Sequence, residues 1–150
     1  MCIRDRSLSD PGIVNGFRDK FEKIESYGID MVFGNDDEAQ AFSGESELDK
    51  AIDYLKQKSF ISLITTGSEG CIVVNENNSN IVSGVNIEPL DTNGAGDMFA
   101  GSFMYAYLQN IPLESCAKFS NYAASKIVET FGPRLSLEGY KEVKNNIQKY

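Results

Sequence analysis

The sequence predicts an α/β fold with a mainly parallel central sheet and helices on both faces. Three observations carry this expectation. Phe60 to Thr65 is apolar almost throughout, as a strand covered on both faces should be. Segments of helical period alternate with such runs in the order helix, strand, helices, strand, hairpin, helices. A glycine turn, Gly94-Ala95-Gly96, joins an extended run to a long apolar segment. At 150 residues the chain has the size of one domain and can bury about 68–70% of its unfolded surface.

Each element has a local reason. Ser9-Asp10-Pro11 is a turn and cap signal. Ile13, Phe17, Phe21 and Ile24 then fall at helical spacing, and Gly28 closes that helix. Ile29 to Phe33 reads as a short buried strand. Glu38 to Phe42 is a short helix ended by Gly44, and Glu47 to Lys58 a second, with Leu48, Ile52 and Leu55 inward. After the strand at Phe60–Thr65, Thr66-Gly67-Ser68-Glu69-Gly70 is a tight turn and Cys71 to Val74 a returning strand. Asn75 to Asn80 reads as a polar hairpin loop, with Ile81 to Val85 coming back from it. Val85 to Leu90 is a β-like run leading to the glycine turn, and Ala95 to Leu108 a buried helix. Leu113 to Thr130 is a helix broken by Gly132-Pro133-Arg134. Ser136 caps a last, more polar helix over Glu138 to Lys149.

Composition narrows the function classes. The net charge of −8 argues against nonspecific nucleic-acid binding and against an anionic membrane surface. No apolar run approaches a membrane span, and no secretory signal is present. Cys2, Cys71 and Cys116 lack metal spacing and fit a reducing cytoplasm. Histidine is absent, so proton transfer must fall to carboxylates, Lys, Tyr or Cys. Met1 to Arg6 reads as neither a helix start nor a strand. It resembles the translation of a transposon end used in sequencing-library preparation, and is expected to be a non-native scar. Residues 7–150 would then be one part of a longer protein.

The chemistry gathers in Asp91-Thr92-Asn93-Gly94-Ala95-Gly96-Asp97-Met98-Phe99-Ala100-Gly101. A Gly-Ala-Gly turn at a helix start leaves backbone N–H groups unpaired near the positive end of the helix dipole, which suits a phosphate. Asp97 would repel that phosphate, unless it serves as the base that deprotonates an attacking hydroxyl. The competing role is an Asp that stabilises a helix N-terminus. Phe99 stands where a dinucleotide fingerprint needs its third glycine, and no glycine is followed by lysine as a Walker A loop requires.

The unbroken stretch from Asp91 to Gly101 resembles the C-terminal signature of the ribokinase-like (PfkB) family of sugar and nucleoside kinases. The resemblance implies a three-layer ribokinase-like fold truncated at its N-terminus, with residues 7–150 forming the C-terminal, nucleotide-binding part of the kinase domain. The implied reaction moves the γ-phosphoryl group of ATP to a primary hydroxyl of a sugar or nucleoside. Asp97 would be the base, and the amides of Gly94, Ala95, Gly96 and Asp97 would hold the developing charge. Thr66, Gly67 and Gly70 resemble the family's turn against the nucleotide phosphates and ribose, although an ordinary interstrand turn explains them too. Asn121, with Ala123 and Ala124, resembles the helix that lines the adenine pocket, where helix packing explains the alanines equally.

Asn35 and Glu38 resemble the family's Asn-x-x-Glu motif, which helps place Mg²⁺ largely through water. On local sequence they read as a helix cap. Asp91 is open between a strand-end cap and a ligand for a monovalent cation such as K⁺. Gly132-Pro133-Arg134 is similar to the corresponding ending in adenosine-kinase-like members, and Arg134 has no assigned role. The acceptor-selecting segment, the lid and any homodimer contact belong to the family's N-terminal half, so the 150 residues alone are expected to be inactive. A non-catalytic nucleotide-binding module of the same fold and a kinase for a hydroxymethyl heterocycle (a vitamin kinase) are the alternatives.

Overall fold

Five strands in the order β1-β2-β3-β4-β5 form the sheet. They are Asp5–Ser7, Met31–Asn35, Ile61–Thr65, Gly70–Asn75 and Asn78–Ser83, in a computed structural model that describes residues 3–150 apart from the side chain of Glu22. β1 and β3 both run parallel to β2, with Arg6 opposite Val32 and Val32 opposite Ser62. β4 and β5 form a hairpin around Glu76-Asn77, where Asn77 takes a left-handed φ of 60° as tight hairpin turns require. Met31, Val32 and Phe33 are all buried, as are Ser62, Leu63 and Ile64, so these parallel strands are covered on both faces.

The chain divides into two compact units. Met1–Thr66 with Ile72–Ile81 forms the first, and Gly67–Cys71 with Val82–Tyr150 the second. In the first, helices α1 (Pro11–Gly16), α2 (Arg18–Ser26), α3 (Asp36–Ser43) and α4 (Leu48–Leu55) close a core that includes Leu8, Val14, Phe21, Val32, Leu55 and Ile64. Phe42 is central, meeting Phe21, Tyr54 and Phe60 edge-on at ring-centroid distances of 6.2, 6.1 and 6.4 Å, a favoured geometry for aromatic pairs. In the second, α5 (Ala95–Tyr107), α6 (Leu113–Val128) and α7 (Leu137–Asn146) pack together. Phe99, Phe103 and Tyr107 stack along α5 at spacings of 6.4 Å. Residues four apart share one face of a helix, which brings these rings together.

Several expectations are corrected. Asp5 and Arg6 belong to a strand, where the sequence reads as neither a helix start nor a strand; Met1 and Cys2 lie outside the described residues. Parallel edge pairing is made by main-chain groups, which almost any sequence supplies. Arg4 adds its N–H to Asp30 Oδ2 at 2.8 Å and its Nη1 to the Tyr27 carbonyl at 2.7 Å. The single helix over 13–24 is two, broken at Phe17 (φ −129°) just after Gly16. Val14 and Phe21 are its buried residues, while Ile13 and Phe17 stay about half exposed. Val85 to Leu90 forms no strand, and Pro89 lacks the N–H that a ladder would need. The hairpin loop shrinks to two residues because Asn78–Asn80 join β5. Gly44 (φ 79°) and the Ser136 cap stand where the sequence predicts them. Among the described residues no helix is long and apolar enough to cross a membrane.

Candidate active site

In the second unit, Gly94 caps α5 in a left-handed conformation (φ 80°), and a Cβ there would come within 2.8 Å of the Pro133 carbonyl oxygen. Two independent demands thus make residue 94 a glycine. The Met98 N–H donates to the Gly94 carbonyl at 2.9 Å, closing the first helical turn, and the Ala95 N–H reaches back to Thr92 O at 3.3 Å. The N–H groups of Gly96 and Asp97 have no acceptor among the described residues. They are the unpaired donors that a helix start leaves behind. Gly96 differs from Gly94 in kind: a Cβ on it would meet nothing within 4 Å. The fold itself does not need a glycine there.

Asp97 sits in the first turn of α5, exposed and without a hydrogen-bond or ion-pair partner among the described residues. Its side chain helps to line a cavity of about 510 Å³ whose walls also include Gly94, Gly101, Tyr105, Arg134 and Lys144. That volume lies within the range of small-molecule sites. An unpaired carboxylate beside two free amides can take a proton from a hydroxyl while the amides stabilise negative charge.

Asp91 ties the turn down. Its Oδ1 accepts from the Asn93 N–H at 2.9 Å and its Oδ2 from the Gly132 N–H at 2.9 Å. These two bonds, Asn93 first, hold its carboxyl below the usual carboxylate range. Since 85–90 is irregular, the strand-end alternative for Asp91 takes the form of a loop clamp. Both of its oxygens serve backbone amides.

Gly70 (φ 114°) is where two backbone segments cross. A Cβ there would overlap the Val82 carbonyl and the Gly84 amide, and the Gly84 N–H donates to Glu69 O at 2.9 Å. Gly67 (φ 61°) has open space around it and is required by turn conformation alone. Thr66 belongs to the first unit and is half-buried. Asn121, expected in a nucleotide pocket, is buried and gives its amide hydrogens to backbone, bonding the Val82 and Ser83 carbonyls at 3.0 Å each. It also touches the Cys71 thiol, which burial pushes up to about 12. Ala124 is half-buried on α6.

In the first unit, Asn35 ends β2 and caps α3. Its Oδ1 accepts the Glu38 N–H at 2.8 Å, while Glu38 Oε2 accepts the Asn35 N–H at 3.0 Å. This is a reciprocal capping box. Glu38 is buried, and a Cβ on Gly34 would lie 3.1 Å from its Oε2, so that glycine makes room for the carboxylate. Burial is the main cause that raises its pKa, against the Asn35 amide that lowers it; repulsion from Asp10, Asp36 and Asp37 adds to the rise. Among the described residues no three His, Cys, Asp or Glu side chains cluster as metal ligands. One carboxylate with an amide neighbour therefore fits Mg²⁺ only as an ion that keeps most of its water.

Sequence reasoning does not find Gly84, Lys144 or the docking of Gly132 and Pro133 on the signature. Gly84 carries a faint signal, an isolated glycine inside the Ile81–Val85 run. The others become visible only when segments distant in the sequence are brought together.

The chain matches the pfkB family of carbohydrate kinases over residues 1–139. Adenosine kinase 2 of Arabidopsis thaliana is 32% identical over 147 residues, covering 84% of this chain and 41% of that protein. The adenosine kinase structure from Sinorhizobium meliloti is similar at a TM-score of 0.88 and 30% identity, over 95% of this chain and 44% of that one. A probable sugar kinase from Rhizobium etli CFN 42 is similar at 0.88 and 29%, with the same coverage. The chain thus spans less than half the length of these relatives.

Proposed function

Because the chain belongs to the pfkB family of carbohydrate kinases, on its adenosine-kinase-like branch, we propose that it forms the nucleotide-binding and base-bearing part of an ATP-dependent sugar or nucleoside kinase. The observation that carries this reading is the start of α5. There the two free amides of Gly96 and Asp97 adjoin an unpartnered carboxylate, beside a glycine that packing does not demand.

In this reading Asp97 removes the proton from the acceptor's primary hydroxyl, and the amides of residues 94–97 stabilise charge on the phosphoryl oxygens. Gly96 and Asp97 contribute the free N–H groups. The Thr66–Gly70 turn lies against the nucleotide. Asn35 and Glu38 hold Mg²⁺ through water, and the ion supplies charge neutralisation at the phosphates. Asp91 acts first as a clamp for the turn, with K⁺ as a further ligand. Asn121 acts by fixing the end of β5, and Ala124 by leaving room beside α6. Contacts that select the acceptor lie outside these 150 residues, so the chain binds nucleotide without appreciable turnover.

The test has two arms. Calorimetry of the 150-residue chain with Mg²⁺ and a non-hydrolysable ATP analogue should give saturable binding. A coupled ADP-release assay, on a full-length protein carrying this segment and a panel of sugars and nucleosides, should give turnover. In that protein Asp97→Asn should leave nucleotide affinity nearly intact while lowering kcat by on the order of 10²–10⁴. Unchanged kcat removes Asp97 from the role of base, and absence of nucleotide binding removes the kinase reading.

A further inference from the structure

We propose that Arg134 is a direct contact of the transferred phosphoryl group, carried to the glycine turn by the docked Gly132-Pro133 segment. The proposal rests on the nucleotide reading above.

The argument starts from a charge deficit. From Ser59 to Ala117 the sequence has no Lys, Arg or His, yet this span contains both the Thr66–Gly70 turn and the whole Asp91–Gly101 signature. It does contain Glu69, Asp91 and Asp97. A polyphosphate held against these turns would meet amides and carboxylates but no side-chain cation. Helix-start amides offer only partial charges. A side-chain cation to act beside the Mg²⁺ of that reading has to come from outside this span, and the segment that follows α6 is fastened there.

Two contacts dock the Gly132–Arg134 segment onto the signature. The Gly132 N–H donates to Asp91 Oδ2 at 2.9 Å, and Pro133 packs so closely on Gly94 that a Cβ at 94 would lie 2.9 Å from its Cα. Arg134, the next residue, lines the same cavity as Gly94 and Asp97. It makes no hydrogen bond or ion pair among the described residues. Two cations of α6 are already committed, Lys118 to Glu114 at 2.6 Å and Lys126 to Glu129 at 2.8 Å. The other cation on the cavity wall, Lys144, lies 5.8 Å over the Tyr105 ring. Tyr105 is eight residues along α5 from Asp97, about 12 Å at the helical rise. Arg134 therefore serves the Asp97 end and Lys144 the far end.

The chemistry suits a guanidinium. Its planar fork can donate two parallel hydrogen bonds to non-bridging phosphoryl oxygens, and it stays protonated throughout. In the transfer, the acceptor O–H gives its proton to Asp97 and its oxygen forms a bond to the γ-phosphorus. The bond from that phosphorus to the β–γ bridging oxygen breaks, and ADP leaves with the electron pair. Arg134 forms no covalent bond and holds the oxygens as charge shifts across them.

The experiment is calorimetry on the 150-residue chain with Mg²⁺, using the β,γ-imido analogue of ATP and, separately, ADP. Arg134→Gln should weaken the analogue roughly 10- to 100-fold, as expected for a lost charged hydrogen bond, while ADP changes less than about 3-fold. Arg134→Lys should be intermediate for the analogue. Lys144→Gln, which removes the same charge from the far end, should change both ligands much less than Arg134→Gln changes the analogue, and melting temperatures of all variants should match the parent. An unchanged analogue affinity in Arg134→Gln, or an equal loss for ADP, overturns the contact alone. The same loss in Lys144→Gln shows a diffuse field and also overturns it. A parent chain that binds neither nucleotide overturns the kinase reading, and this contact with it.

Discussion

Gly96→Ala separates folding from function at a single methyl group. Residue 96 is the second residue of α5, its φ lies outside the left-handed range, and an added Cβ meets nothing within 4 Å. Alanine removes conformational freedom from the unfolded chain and costs no contact, so the fold should gain about 0.5–1 kcal/mol. In a chain of this size that is a rise in Tm of roughly 1–4 °C. The same methyl stands where a phosphate would approach the Gly96 and Asp97 amides. Affinity for the ATP analogue should fall by on the order of 10-fold, about the value of one hydrogen bond to a charged group. Thermal melts by circular dichroism and calorimetric titration of the same preparation read both quantities. A stabilised variant with undiminished affinity would refute the claim that the glycine is kept for a ligand. Gly94→Ala is the contrast, since its φ is 80° and its Cβ would lie 2.8 Å from the Pro133 oxygen. That change should cost about 1–2 kcal/mol or more, whether or not nucleotide is present.

Gly70→Ala should be worse still, because its Cβ would overlap the backbone at Val82 and Gly84. Urea unfolding should show a loss of about 2 kcal/mol or more, and a loss under about 0.5 kcal/mol, the range of an inconsequential surface change, would mean that the crossing is loosely packed. Asn121→Ala removes two hydrogen bonds to backbone carbonyls. It should lower stability by about 1–3 kcal/mol; full stability with impaired nucleotide binding would favour a pocket role over this structural one. Glu38 gives a pH signature. Its folded pKa lies above the ordinary 4.5, so between these values the native state holds more protons than the unfolded one. Its contribution to stability is therefore greatest below the ordinary value and falls as pH rises through the raised folded value. Unfolding free energies measured upward from mildly acidic to neutral pH should slope downward more steeply in the parent than in Glu38→Gln, and parallel curves would contradict the burial argument.

What is legible in the sequence is legible because its cause is local. Gly44 stops α3 through its left-handed φ, Ser136 caps α7 through its own hydroxyl, and the Gly-Ala-Gly turn starts α5 where it stands. Spacing alone misplaces the first helix. Ile13 and Phe17 fall at the right interval, yet the core takes Val14 and Phe21, because the break at Phe17 resets the helical phase. Val85 to Leu90 reads as extended but pairs with nothing as a strand; instead the Leu90 N–H finds the Val128 carbonyl at 2.8 Å. Site residues divide the same way. Asn35 and Glu38 can be read as a cap because the whole device spans four residues. The Asp91–Gly132 bond joins positions that no short window contains, and the carbonyls that Asn121 bonds are likewise beyond any such window.

Asn121 also bears on how the sheet ends. β5 is a margin strand, mostly exposed, with Ile81 at 80% of its full accessibility. Such a border is the kind on which a second polypeptide can lay down a further strand. Asn121 reaches the carbonyls of Val82 and Ser83 at the end of this strand and so pins it to α6 at one place. A strand pinned there yields less readily to an incoming chain, and release of that tie would first appear as turbidity in concentrated solution.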